Sequence, residues 1–167
     1  MGKTESNLQE AFAGESQANR KYLAYAGQAE TDGFPNLARL FRGVAEAETV
    51  HARAHLRALG GVKRTQENLE AAIEGEGFEI KEMYPGFVEE AREEKNGAAV
   101  KSFAYALAVE KLHHKLYSDA MKTIKTGEDI DASRIYVCPV CGNTVIGGPP
   151  EKCPICGEPK SAFMKIE

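Results

Sequence analysis

Two segments of this sequence repeat the same pair of potential metal ligands. His51 follows Glu48 by three residues, and His113 follows Glu110 by three residues. Residues three apart on a helix lie on nearly the same face, so each pair would present a carboxylate oxygen and an imidazole nitrogen together. A single Glu-x-x-His is most often a solvated surface contact, but two copies in matching helical contexts favour metal binding.

Hydrophobic periodicity predicts the helices that must position these ligands. Four helical stretches are expected, at about 6–31, 35–59, 65–95 and 97–125, with Pro85 kinking or splitting the third. Phe41 and Phe103 each lie seven residues before the Glu of a pair, so the second and fourth helices share one pattern. Each helix has a stripe that is apolar at both ends with a Glu in its middle. These four residues are Glu15, Glu48, Glu76 and Glu110.

The resulting prediction is a mainly α protein with a four-helix bundle whose core holds four carboxylates at one level. Four like charges in a low-dielectric interior repel strongly, and bound cations would reverse that balance. A Glu from each of two helices plus Glu-x-x-His from the other two is the ligand set of di-metal carboxylate bundles. Mixed oxygen and imidazole ligation suits Fe or Mn.

Two further histidines lie near the stripes. His114 rivals His113 because both follow Glu110 within one helical turn, but the repeat favours His113. His55 and His114 are therefore interpreted as residues of the helix flank or as neighbours of the ligands.

The third helix carries one more carboxylate than the repeat requires. Glu79 follows Glu76 by three residues and is either a solvent-facing residue or a seventh ligand that competes with His51 for one metal. Gly75 and Gly77 flank Glu76, where glycine is unfavourable in a helix. We hypothesise that they permit a local bulge or a close helix approach at the site.

The four cysteines lie near the end of the chain, at Cys138, Cys141, Cys153 and Cys156. Two C-x-x-C loops at this spacing predict two knuckles around one tetrahedral metal. A tetrahedral site of four sulfurs suits either Zn or Fe, and the spacing by itself favours zinc. We predict a bundle domain at 1–130 and a small metal-binding domain at 131–167, joined by a linker near 126–133.

Composition excludes several classes of function. The formal net charge is −4, which argues against a nucleic-acid-binding surface. No apolar run is long enough to predict a membrane span, and the N-terminus does not resemble a secretory signal, so we expect the reducing cytoplasm.

In order along the chain, these motifs resemble the rubrerythrin family. The segments are ESQANRKY at 15–22, EAETVH at 46–51, EGFEIKEMYP at 76–85, VEKLH at 109–113, then YVCPVCG and CPICGEPK. The resemblance implies a ferritin-like bundle with a di-iron centre and a rubredoxin-like domain with one Fe bound by four cysteines. It also implies a cytoplasmic homodimer that reduces hydrogen peroxide to water, with electrons from rubredoxin or an NAD(P)H-dependent reductase.

The resemblance assigns roles to the ligands. By matching position, Glu48 and Glu110 would bridge the irons, Glu15 and Glu76 would be terminal ligands, and His113 would bind the second iron. The tail metal is then expected to be Fe rather than Zn.

Four residues are implied in catalysis by the same resemblance. Glu79 and His51 would be alternative ligands of the first iron, exchanging as it changes oxidation state. Tyr22 and Tyr84 match tyrosines that hydrogen-bond the ligating carboxylates.

Two other functions remain open from the sequence. One is an iron-handling ferroxidase or storage bundle, and the other is a non-enzymatic binding module stabilised by a zinc ribbon. In the peroxidase hypothesis, peroxide binds between the two irons, and the tail could serve the di-iron site of a partner subunit.

Overall fold

The computed structural model describes residues 2–167, which form two compact units. The first unit ends at Lys63 and the second is Arg64–Glu167. The domain boundary near residue 130 stays a prediction.

The first unit is a helical hairpin. Helix α1 is Lys3–Thr31 and helix α2 is Pro35–Ala58. The turn between them contains Gly33 at φ +84°, a left-handed conformation that favours glycine, and Pro35 opens α2 where its missing N–H costs nothing. These bounds confirm the predicted helices to within a few residues.

Small and polar side chains hold α1 against α2. Ala26, Ala29 and Ala38 are buried and allow the two backbones to approach closely. Buried Asn19 donates from Nδ2 to the Ala45 carbonyl at 2.7 Å and to Thr49 Oγ1 at 2.9 Å. This amide fixes the register of the hairpin at the level of the ligands.

The second unit begins with helices that pack on one long helix. Helix α3 is Thr65–Phe78, a π-helical turn follows at Glu79–Met83, α4 is Tyr84–Glu93 and α5 is Gly97–Ile124. The Tyr84 N–H donates to the Glu79 carbonyl, five residues back, as π-helical geometry requires. Pro85 lies in the first turn of α4, which confirms the predicted interruption of the third helical stretch.

The last part of the second unit is a small antiparallel sheet. Its strands are β1 (Ile135–Val137), β2 (Thr144–Ile146) and β3 (Met164–Ile166), in the order β2-β1-β3. Its core consists of Cys138, Cys153 and Phe163. No helix among residues 2–167 combines the length and apolarity that crossing a membrane requires.

Candidate metal centres

The second unit brings together Glu76 from α3 with Glu110 and His113 from α5. One ligand atom from each of the three lies within 4.8 Å of the others. His113 Nδ1 is 2.6 Å from Glu110 Oε2 and 3.9 Å from Glu76 Oε1. The i,i+3 spacing on α5 places Glu110 and His113 on one face, as predicted.

The first unit holds a matching triad. Glu15 from α1 lies with Glu48 and His51 from α2, again within 4.8 Å. His51 Nδ1 is 2.9 Å from Glu48 Oε2 and 3.9 Å from Glu15 Oε1. The two triads therefore repeat one geometry with the same residue types.

The second triad fits a metal ion chemically. Glu76 Oε2 is buried without a hydrogen-bond partner among the described residues, so the desolvation of an ionised Glu76 is relieved only by protonation or by a bound cation. Burial, a hydrogen bond with Glu110 and the negative charges of Glu110 and Glu79 raise the pKa of Glu76 to about 7. Two carboxylates and one imidazole are suitable ligands for iron.

Glu79 lies beside the second triad at the start of the π-helical turn. Burial and the charge of Glu110 raise the pKa of its carboxyl, while His113 acts in the opposite direction. These influences show that Glu79 lies within electrostatic reach of the triad. Its role as a seventh ligand stays a prediction.

The two predicted tyrosines lie in aromatic clusters. The rings of Tyr22 and Phe41 are tilted by 31° with their centroids 6.3 Å apart. The rings of Tyr84 and Phe103 are tilted by 42° at the same centroid distance of 6.3 Å. Burial and the charges of the nearby glutamates raise the pKa of Tyr84. Neither hydroxyl hydrogen-bonds a carboxylate in residues 2–167, so that part of the resemblance stays a prediction.

The glycines around Glu76 have different surroundings. Gly77 is buried, and a Cβ built on it would lie 3.7 Å from His114 Cδ2, whereas Gly75 has open space around it. His114 thus packs against α3 and is not part of the triad. The local bulge that we hypothesised is present as a π-helical turn, which begins two residues after Gly77.

The four cysteines form the predicted cage. Cys138 Sγ lies 3.5 Å from Cys156 Sγ, and Cys141 Sγ lies 3.5 Å from Cys153 Sγ, distances too long for disulfide bonds. All four sulfur atoms lie within 4.8 Å of one another. This arrangement is that of a tetrahedral metal–thiolate site.

Each cysteine knuckle ends in a left-handed glycine. Gly142 and Gly157 both have φ +84°, and their N–H groups donate to the Cys138 and Cys153 carbonyls at 2.9 Å. Although burial opposes ionisation, hydrogen bonds from the backbone of Cys156 and Ile155 contribute to lowering the pKa of Cys153 to about 6. The second knuckle therefore favours thiolate at Cys153, the form that binds metal.

We call residues 135–166, which hold the four-sulfur cage and the sheet, the cysteine domain. This domain contacts α5 of its own chain at the second triad. His113 Nε2 lies 3.0 Å from Thr144 Oγ1 at the start of β2. A Cβ built on Gly142 would lie 3.7 Å from Val109 Cγ1. A ligand of the carboxylate triad is thus joined by one hydrogen bond to the strand that follows the first knuckle.

Comparison with known proteins identifies the family. Residues 6–121 match the family model for rubrerythrin, and residues 136–164 match that for the rubredoxin-like domain of rubrerythrin. The chain belongs to the rubrerythrin family. Rubrerythrins have a di-iron site, and in this member the two Glu/His triads and the four cysteines are the groups suited to binding iron. The predicted family, cofactors and fold class are therefore confirmed.

Individual relatives align with nearly the whole length of this chain. Rubrerythrin-2 of Clostridium acetobutylicum is 39% identical, covering 94% of this chain and 93% of its own. Rubrerythrin of Nitratidesulfovibrio vulgaris is 36% identical over 96% and 93% of the two chains. A solved structure of fully reduced, all-ferrous nigerythrin is 33% identical with a TM-score of 0.59, covering 99% of this chain and 88% of that one.

The sequence analysis did not predict two polar side chains that make hydrogen bonds near the Glu/His triads, Asn19 and Thr144. Asn19 lies in the apolar stripe of α1, but its link to Ala45 was not foreseen, and Thr144 was not recognised at all. A polar residue in an otherwise apolar stripe is a usable signal for Asn19. Thr144 gives no comparable signal, because its partner lies 31 residues away.

Proposed function

We propose that this chain reduces hydrogen peroxide to water at a di-iron centre and that electrons reach this centre from the iron of its cysteine domain. The observation that carries the proposal is the hydrogen bond between His113 and Thr144. It joins the strand that follows the first cysteine knuckle to the carboxylate–imidazole triad of the same chain, which supports electron delivery from a thiolate-bound iron to that triad. A bundle that only stores iron has no need of such an electron-entry domain.

The proposed ligands follow the family pattern by position. Glu48 and Glu110 would be shared by the two irons, Glu15 and Glu76 would each bind one iron, and His113 would bind the second iron. Glu79 and His51 would be the alternative ligands of the first iron. The two triads contain the same residue types within the same distance, which supports metal binding at both.

Each peroxide molecule must take up two electrons and two protons to leave as two water molecules. Iron held by the two Glu/His triads would supply two electrons, and iron held by the four cysteines would supply their replacements one at a time. Glu79 and Tyr84 are the proposed proton donors, because both lie within electrostatic reach of Glu110 in the second triad. Tyr22 is proposed to position a ligating carboxylate through its hydroxyl.

The finer assignments rest on the family. We propose rubredoxin or an NAD(P)H-dependent reductase as the electron donor, a homodimer as the assembly and the cytoplasm as the location. The cysteine domain contacts α5 of its own chain. We therefore propose that it serves the triad on that helix, whichever chain completes the di-iron centre.

The test separates electron delivery from peroxide chemistry. The iron-loaded chain is assayed with NADH, a reductase and rubredoxin, and then after chemical reduction with one equivalent of peroxide. Cys138→Ser should abolish steady-state turnover but retain the single oxidation of the reduced di-iron site. Val140→Ala is the matched control, because Val140 lies in the same knuckle with 53% of its surface exposed and does not bind metal.

Three results would contradict the proposal. Equal loss of both activities in Cys138→Ser, with its helical content intact, would remove the division of labour. Iron loading beyond three ions per chain without peroxide turnover would instead support an iron-handling protein. A purified chain with zinc in the cysteine cage and no visible Fe–thiolate absorption would support the binding-module alternative.

A further inference from the structure

We propose that Thr144 is a positioning residue that holds His113 as the tautomer with a proton on Nε2 and leaves Nδ1 free for metal. Thr144 is the first residue of β2, and its Oγ1 makes two contacts. It lies 3.0 Å from the Gly142 carbonyl oxygen and 3.0 Å from His113 Nε2. The inference depends on the metal site of the proposed function but not on peroxidase activity.

The two contacts together determine the direction of the hydrogen bonds. A carbonyl oxygen only accepts, so the single hydroxyl proton of Thr144 is donated to Gly142. The Thr144 oxygen can then meet His113 only as an acceptor. Both contacts are satisfied when Nε2 carries a proton, and a neutral imidazole then has its lone pair on Nδ1.

That lone pair lies at the triad. Nδ1 of His113 is 2.6 Å from Glu110 Oε2. A lone pair and a carboxylate oxygen at this distance repel unless a proton or a metal ion lies between them. With Nε2 already protonated in the neutral ring, a metal ion bound by both atoms removes this repulsion. A hydrogen bond from the other ring nitrogen is how proteins orient a ligating histidine and raise its basicity.

The surroundings of the hydrogen bond favour its persistence. His113 and Thr144 line a cavity of about 320 Å³ together with apolar residues. These include Leu116, Ala120, Ile135 and Ile146. Water competes less well for Nε2 in such surroundings than at an open surface.

The first triad has no equivalent support. The His51 side chain is 56% exposed against 25% for His113, and its Nε2 has no hydrogen-bond partner within residues 2–167. The cysteine domain therefore makes two otherwise matched triads unequal. His113 is held through both ring nitrogens, whereas His51 makes contacts through Nδ1 only within residues 2–167.

The test is nuclear magnetic resonance of the full-length chain, loaded with zinc and labelled with ¹⁵N at histidine. Zinc is diamagnetic, and the measurement needs no peroxide. We expect His113 to show a slowly exchanging Nε2 proton and zinc on Nδ1. Thr144→Val should lose the slow exchange and weaken zinc binding at the second triad about tenfold. Thr144→Ser keeps the hydroxyl and should restore both.

The control is Thr126→Val, which removes a hydroxyl that, within residues 2–167, bonds only the Thr123 carbonyl at 2.7 Å and lies beyond the end of α5. It should leave the His113 signals unchanged. Zinc on Nε2 of His113 in the unmodified chain would overturn the inference without any variant. So would a Thr144→Val chain with the same exchange rate and zinc affinity as the original. If the zinc-loaded chain shows the expected His113 signals but the iron-loaded chain has no peroxidase activity, the result counts against the proposed function alone.

Discussion

His113 and Thr144 meet at 3.0 Å between Nε2 and Oγ1, although 31 residues separate them in the sequence. His113 belongs to the carboxylate triad on α5, and Thr144 begins the strand that follows the first cysteine knuckle. Small metal–thiolate domains generally fold when the metal binds, so metal binding at the four cysteines is expected to influence His113, a proposed ligand of the other site. Loss of the thiolate-bound metal should loosen His113 even where α5 remains helical.

The stability of the chain after EDTA treatment should fall as pH rises from about 4.5 to about 7. Glu76 has a pKa raised from 4.5 to about 7 in the folded chain, chiefly by burial and by Glu110. In that window the folded state binds more protons than the unfolded state, so rising pH disfavours folding. Below it both states are protonated, and above it both are ionised, so the dependence should flatten at either side. Urea midpoints measured across this range check the prediction.

The matched variant is Glu76→Gln, whose amide does not titrate. Its urea midpoint should vary less over the same pH interval. A metal-free chain whose stability rises steadily across the interval in which Glu76 titrates would contradict the assignment of a protonated carboxyl at this position.

Asn19→Ala should lower the free energy of unfolding by about 1–3 kcal/mol, because it removes a buried amide that bridges α1 and α2. The Ala45 carbonyl and Thr49 hydroxyl would each lose a donor in a place that water reaches poorly. Urea unfolding followed by helical circular dichroism measures the change. The control is Asn36→Ala, an exposed residue at the start of α2, where a change within about 0.5 kcal/mol is expected. Equal effects of both variants would refute the role of Asn19.

The repeat of Glu-x-x-His was sufficient to predict both triads, because i,i+3 spacing on a helix is a local property of the chain. Pro85 likewise predicted a break in the third helical stretch. The π-helical turn at Glu79–Met83 was not predicted in form, since it depends on how α3 and α4 pack on α5 rather than on local propensity. The Thr144 contact was missed for the same reason: it exists only when a strand and a helix from distant segments meet.

Two glycine substitutions should have opposite effects. Gly75→Ala should stabilise the chain by about 0.5–1 kcal/mol, because Gly75 lies inside α3 with helical backbone and free space where a Cβ would extend. Gly142→Ala should destabilise the cysteine domain by about 1–2 kcal/mol, because its φ of +84° is unfavourable for alanine. Guanidinium titrations read out by helical dichroism and by metal–thiolate absorption distinguish the two regions. Destabilisation by Gly75→Ala would contradict the free space found around this position.

Glu79→Gln should slow peroxide turnover by at least about 100-fold while leaving the cysteine cage intact. The substitution keeps the shape of the side chain but removes the proposed carboxylate ligand, which is also a group that can hold a proton beside Glu110 and His113. Because the proposed role belongs to the chemical step, kcat should fall more than KM rises. Steady-state kinetics with reduced rubredoxin and stopped-flow oxidation of the reduced chain measure the two quantities.

Glu82→Gln provides the control for Glu79, since Glu82 lies in the same π-helical turn but is exposed. It carries the same change of charge, so a general electrostatic effect on the turn would lower both activities alike. If the change at Glu82 has little effect and the change at Glu79 a large one, the carboxyl of Glu79 acts at the metal centre itself. Comparable rates for the two variants would mean that Glu79 is only a neighbour of the triad, and that Glu76, Glu110 and His113 suffice for the second metal.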